Sequence, residues 1–462
     1  MTESRDLFPN RVFSLVNCSL QQAFAQVYLF HTRTALLRTV PSSHLYEHTS
    51  ISPQYSFSQG AVLSLDLIQG VLSHISKMAP SAVGPVVGAA AALAAHQIHH
   101  IECHAPVADV PGLPTGFPET VVDESAWTGP QFTNESQYTY NLTNADHKEL
   151  AVALKHFKAL GLDGDLVNKD NFPLPILGAT LDRIANDVHR GKGFAVVRGI
   201  DPQKYSVEDL TVMYLGIQGY IANQHGRQDK KGNMLVHIVA DNTSQVKADH
   251  HRHSTSAITF HNEESGDVVS WLTRNTAAAG GKCIIASAHT VYNVLAATRP
   301  DIIRTLSRSD WPFALPKFQC RPILFYHDGK IIVNFGRTPL MGNPTHPRPA
   351  HFPSLTPRQV EALDAIESIA KATQMEIQTR AGDIHFINNL AILHRREAFV
   401  NGQSPTEKRH LVRMRVRNDR LGWSIPPELQ REWFDAFEKP ADRVWHLEPM
   451  PDAFFPLRKY PN

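Results

Sequence analysis

From residue 193 onward the chain is cut into short apolar runs by glycine, proline and Asx turns, and this spacing restricts the fold more than any other feature. Phe194–Arg198 lies between Gly193 and Gly199 and reads as a buried strand. Leu235–Ala240, Ile258–Phe260, Val268–Leu272 and Cys283–Ser287 read the same way. Pro322–Tyr326 and Ile331–Phe335 are joined around Asp328 and Gly329, a hairpin signal. Asp383–Leu393 and His410–Val416 are late strands. Helical patterns are few. Leu181, Ile184 and Val188 form an apolar face that stops at Gly191. Thr356 caps a helix with Pro357 at its first position, and Val360, Leu363, Ile366 and Ile369 make its buried stripe. Strands do not alternate regularly with helices, which argues against a parallel sheet. The expected fold class is α+β: a double-stranded β-helix (jelly roll) core with flanking helices and an irregular N-terminal extension.

The start of the chain differs from the rest. Leu7 to Ser50 holds three Arg and one acidic residue, Glu47. This composition fits a mitochondrial presequence, a disordered extension, or a reading frame whose true start is Met78. His96, His99, His100 and His104 would share a helix face, but no carboxylate or thiol stands at a suitable offset, so no metal role is expected there. Order is expected from about Pro106. Three regions follow: an extension over 1–105, a main domain over 106–430, and a C-terminal tail over 431–462 that packs on the core. The 45 basic and 44 acidic residues nearly cancel, so neither nucleic acid nor an anionic membrane is an expected partner. Cys18, Cys103, Cys283 and Cys320 form no pair motif, which speaks for a reducing compartment and against a disulfide framework or zinc ribbon. No run approaches the roughly 20 apolar residues of a membrane span. The expected location is intracellular and cytoplasmic, or mitochondrial if the extension is a presequence.

His261 and Glu263 end one of the strand-like segments. Residues two apart in a strand face the same side, so one imidazole and one carboxylate can reach a single ion. A second His from elsewhere would complete a set of two His and one carboxylate, which leaves three positions open, as iron(II) oxygenases require. With 25 histidines in the chain, His-x-Glu alone says little. Asp267 is the rival carboxylate, and Glu263 is preferred. His250, His251 and His253 alternate sides in an extended chain and cannot present three imidazoles to one ion. No phosphate-binding Gly loop and no Gly-x-Ser-x-Gly occurs.

The downstream order carries more. A Gly280-Gly281 turn precedes Cys283, Gly382-Asp383 opens a strand that leads to His394, and Arg409 and Arg413 follow on one strand face. Over roughly Phe194 to Arg417 this order resembles the taurine dioxygenase (TauD/TfdA-like) family of iron(II)- and 2-oxoglutarate-dependent oxygenases. The resemblance implies His261 as the proximal ligand, His394 as the distal one, and Glu263 where most members have Asp. Arg409 matches the residue that forks onto the distal carboxylate of 2-oxoglutarate. Cys283 stands where a hydroxyl residue often donates to the co-substrate, and a thiol is a weaker donor. Arg413 matches a residue that holds an anionic group of the substrate. Arg415 and Arg417 read as a solvated edge. The resemblance implies Fe(II), with 2-oxoglutarate and O2 as co-substrates, hydroxylation of a small organic molecule, for which Arg413 suggests an anionic group, and release of succinate and CO2. Desaturation or epimerisation at the same site is one alternative, and a catalytically silent jelly-roll binding protein is another. A small-molecule substrate is the expected partner, and a homo-oligomer is compatible with the sequence.

Overall fold

The computed structural model describes residues 112–239, 255–315, 317–343 and 347–449. The presequence reading, the His96 to His104 cluster, Met78 and the His250 to His253 run all lie outside these residues.

Seventeen strands occur among the described residues. They are β1 Thr139–Asn141, β2 Phe194–Arg198, β3 Gln224–Gly226, β4 Val236–Val239, β5 Ile258–His261, β6 Val268–Asn275, β7 Ala279–Gly280, β8 Cys283–Ser287, β9 Pro312–Phe313, β10 Gln319–Cys320, β11 Leu324–His327, β12 Lys330–Val333, β13 Met375–Ile377, β14 Ile384–Asn388, β15 Ile392–Arg396, β16 Phe399–Val400 and β17 His410–Arg417. The helices used below are α1 Asn144–Ala159, α2 Leu177–His189, α3 Val207–Ile221, α4 Ala288–Thr298, α5 Pro300–Leu306, α6 Arg337–Met341, α7 Pro357–Thr373 and α8 Pro427–Trp433. A seven-stranded sheet runs β1-β2-β14-β6-β17-β3, with β4 also on β17, and a four-stranded sheet runs β13-β8-β15-β5.

Strand periodicity sorts the side chains into layers. On β6, Val269 and Trp271 join Cys283, Ile285 and Ile392 of the smaller sheet in one apolar cluster. Val268 and Leu272, one residue out of phase, pack with α1, α2 and α3 on the other face of the large sheet. Ile284, Ala286 and Leu393 face the opposite way and pack against α4, α5 and α7. Both sheets are therefore covered by helices on one face and bury an apolar cluster on the other.

Local signals explain several boundaries. In α7 the Thr356 hydroxyl accepts from the Gln359 N–H, while the Gln359 side chain accepts from the Thr356 N–H, a reciprocal cap. Leu363, Ile366 and Ile369 of its stripe are buried, and Val360 is half-buried. Asp328 and Gly329 have φ of 48° and 72°, the left-handed pair that a tight hairpin between β11 and β12 needs.

Two expectations change. The run Asp383–Leu393 is two strands: β14 belongs to the large sheet and β15 to the small one, and the chain crosses between them at 389–391. The second change is β17, which is not a solvated edge. It pairs with β6 on one side and with β3 and β4 on the other, so Arg415 is buried and Arg417 largely so.

Candidate active site

Antiparallel pairing sets His394 of β15 directly opposite His261 of β5, with ring centroids 4.3 Å apart. Glu263 lies two residues beyond His261, past the end of β5. Its Oε1 stands 3.9 Å from Nε2 of each His. That spacing is under two metal–ligand bonds of about 2.0–2.2 Å, so one ion reaches all three groups. These side chains are the one such cluster among the described residues. The Thr259 carbonyl lies 2.9 Å from His261 Nδ1, which places the proton there and leaves the Nε2 lone pair facing Glu263. The donor set therefore fits a divalent metal with open positions.

Asp267, the rival carboxylate, is committed elsewhere. Its Oδ1 accepts from Trp433 Nε1 at 2.7 Å and from Arg417 at 3.0 Å. Burial pushes its pKa up to about 6, although Arg417 and the Trp433 N–H pull the other way.

The loop bearing Glu263 is held by two asparagines whose role had no signal in motif spacing. The Asn389 side chain accepts from the Glu263 N–H at 2.8 Å and donates to the carbonyls of Glu263 and Gly266 at 3.1 and 3.0 Å. Asn262 donates to the carbonyls of Asn389 and Ile392, and accepts from the Phe335 N–H. The crossover between the sheets thus carries the clamp for the carboxylate.

On β17, the odd-numbered residues point between the sheets. Arg409 lines a cavity of ≈ 80 Å³ together with His261, Glu263, Cys283 and His394. No carboxylate pairs with its guanidinium among the described residues. It lies over the Phe399 ring at 5.3 Å, and burial, with Arg396 nearby, pushes its pKa down to about 9. A buried cation so placed suits an anionic ligand. Gly281 adopts φ 72°, and a Cβ there would stand 3.3 Å from Arg409 Cδ, so the Gly-Gly turn makes room for this side chain. Cys283 is buried, and desolvation pushes its thiol up to about 12, against the pull of Arg409.

Arg413 pairs with Glu263 Oε1, and Arg415 Nη2 lies 3.3 Å from Oε2. Sequence reading missed Arg415, because a charged residue on a late strand looks solvated until its neighbours are known. Asp383 holds no site group. It takes both prongs of Arg198 at 2.9 Å, tying β14 to β2, and Gly382 supplies the positive φ of 85° that opens the strand. A second cavity, of ≈ 340 Å³, shares Ile258, His261 and Glu263 with the first and extends to Phe313, Arg321 and Phe335.

Comparison with known proteins places the chain in a family. The profile described as "Taurine catabolism dioxygenase TauD, TfdA family" matches residues 153–415. A taurine hydroxylase-like protein, SAT17, of Stachybotrys chartarum is 35% identical over 342 residues, 71% of this chain and 89% of that one. FR-33289 synthase of Streptomyces rubellomurinus is 23% identical over 322 residues, 67% of this chain and 93% of that one. Among solved structures, an asparagine oxygenase in complex with Fe(II) is similar at a TM-score of 0.49 and 16% identity, over 61% of this chain and 93% of that one. The chain belongs to the TauD/TfdA family and is an iron(II)- and 2-oxoglutarate-dependent dioxygenase.

Proposed function

We propose that His261, Glu263 and His394 hold the iron, that Arg409 receives the distal carboxylate of 2-oxoglutarate beside Cys283, and that a small organic substrate is hydroxylated from the larger cavity, with release of succinate and CO2. The observation that carries this reading is the meeting of three ligand atoms, each His nitrogen 3.9 Å from Glu263, beside a buried arginine that has no carboxylate partner among the described residues. The two facing sheets then correspond to the halves of a double-stranded β-helix, with the iron ligands at one end of the smaller sheet.

When bound, iron(II) supplies the activation of O2 that the side chains cannot perform. The protein contributes orientation and charge. The Thr259 carbonyl fixes the His261 tautomer, Asn389 holds the Glu263 loop, and Arg413 and Arg415 aim the Glu263 carboxylate by pairing with its two oxygens. Arg409 offers a two-pronged donor to a carboxylate, and Trp271, Leu411 and Ile238 exclude water around it. Arg413 also reaches towards Gln228, at 3.5 Å, whose side chain borders the larger cavity, and so faces the substrate side.

The test is succinate formation from 2-oxoglutarate with iron(II), measured in the native protein and in His394→Ala, together with metal content. Loss of both turnover and bound iron in the variant is expected, and unchanged turnover would overturn the assignment.

A further inference from the structure

Arg321, between β10 and β11, is 3% exposed and lines the larger cavity. Its Nε and Nη1 have no hydrogen-bond partner, and no carboxylate lies within ion-pair distance among the described residues. Glu432 and Glu264 act on it only at longer range, while burial opposes its charge. Its one close neighbour of note is the Phe313 ring, 4.4 Å from Cζ. The other cations of the same wall are compensated: Arg337 by Asp364 at 2.7 Å, and Arg415 by Glu263 at 3.3 Å. Arg413, the expected anion contact, shares its charge with Glu263.

A buried guanidinium without donors satisfied is costly, and a native chain keeps one where a ligand completes it. The cavity is otherwise apolar on the Phe313, Phe335 and Pro339 side, and at ≈ 340 Å³ it suits a small molecule. We infer that Arg321 is the receptor for an oxyanion on the substrate, a carboxylate, sulfonate or phosphonate, whose oxidisable carbon then lies towards His261 and Glu263. This deepens the function proposed above and rests on it. Arg321 is here a binding residue that selects the substrate class; it takes no part in the oxidation.

The experiment uses the full chain loaded with Mn(II) and saturating 2-oxoglutarate, so that turnover is blocked and Arg409 is occupied. Ethanesulfonate, ethylphosphonate and propionate are titrated calorimetrically, with ethanesulfonamide as the neutral counterpart. At least one anion is expected to bind saturably at one per chain and the sulfonamide not to. Arg321→Gln should weaken the anion by at least about 30-fold, the lower end of what truncating one partner of a buried charge pair does. Its 2-oxoglutarate affinity should stay within about threefold, while Arg321→Lys retains part of the anion binding. Absence of saturable anion binding, equal binding of the sulfonamide, or unchanged binding in a folded Arg321→Gln protein would each overturn the inference. If Arg321→Gln fails to fold, the native protein and Arg321→Lys decide. If the native chain takes up neither Mn(II) nor 2-oxoglutarate, the proposed function falls instead. The same titration in metal-free Arg409→Met protein then still decides whether Arg321 receives anions.

Discussion

Replacing Asn389 by Ala separates support of the metal site from support of the fold. The side chain is buried and makes three hydrogen bonds to the Glu263 loop. Its removal strands the Glu263 N–H and the Gly266 carbonyl. The Glu263 carbonyl keeps Asn334 Nδ2 at 3.4 Å. Two buried polar groups left unpaired cost about 1–3 kcal/mol each, and partial relaxation brings the sum to roughly 2–4 kcal/mol. For a domain of somewhat more than about 300 residues that lowers Tm by roughly 3–6 °C. Glu263 also loses its backbone anchor, and loss of such support around a metal ligand lowers metal affinity by about 10–100-fold. Urea unfolding of the metal-free variant gives the stability change, and Mn(II) titration by electron paramagnetic resonance gives the affinity. An unchanged Tm would refute the hydrogen-bond argument. A destabilised variant with metal affinity within about threefold of the native protein would show that Asn389 braces the crossover but does not place Glu263.

Two further outcomes follow from buried titratable groups. Burial pushes the folded pKa of Asp267 up to about 6, above its ordinary 3.8, and its buried Oδ2 has no donor among the described residues, which leaves that oxygen able to carry the proton. The folded state therefore binds this proton more tightly, and its contribution to stability falls as pH rises from about 4 to 6, by on the order of 1–3 kcal/mol. Urea midpoints across that range should show the decline, Asp267→Asn should flatten it, and a steeper decline in the variant would contradict the sign. Cys283, with its thiol pushed up to about 12, should resist iodoacetamide in the native protein, while exposed Cys320 is alkylated. Peptide mass mapping distinguishes them, and fast labelling of Cys283 below pH 9 would show that the thiol is neither buried nor desolvated.

The two histidines that meet Glu263 were legible as candidates from residue order because each sits next to a local signal. His261 ends a short apolar strand, and His394 lies on the second strand after the Gly382-Asp383 turn. Arg409 was legible for a similar reason: strand period places it on one face with Arg413. The reciprocal cap of α7 and the Asp328-Gly329 hairpin are equally local, written in four residues or fewer. Spacing favoured Glu263 over Asp267 but could not give the reason Asp267 is taken. That reason lies in Trp433 and Arg417, about 150 residues away, which claim Asp267 and leave Glu263 to the histidines.

Strand period states which way a side chain points, but not what stands opposite it. Pairing on both edges turned β17 from a presumed margin into an interior strand of the large sheet, and so turned Arg415 from a solvated charge into a partner of Glu263. The crossover at 389–391 made Asn389 a clamp, although in the chain it is one polar residue between two strands. Arg321 is the extreme case. Nothing near it in sequence distinguishes it from any other arginine, and its meaning comes from a cavity assembled by β5, α6 and the turn before β11. Local chemistry thus marked the proposed iron ligands and the proposed co-substrate arginine along the chain. Long-range pairing decided which carboxylate stands beside the two histidines and which buried cation is left uncompensated among the described residues, because compensation of a buried charge is settled by neighbours far apart in sequence.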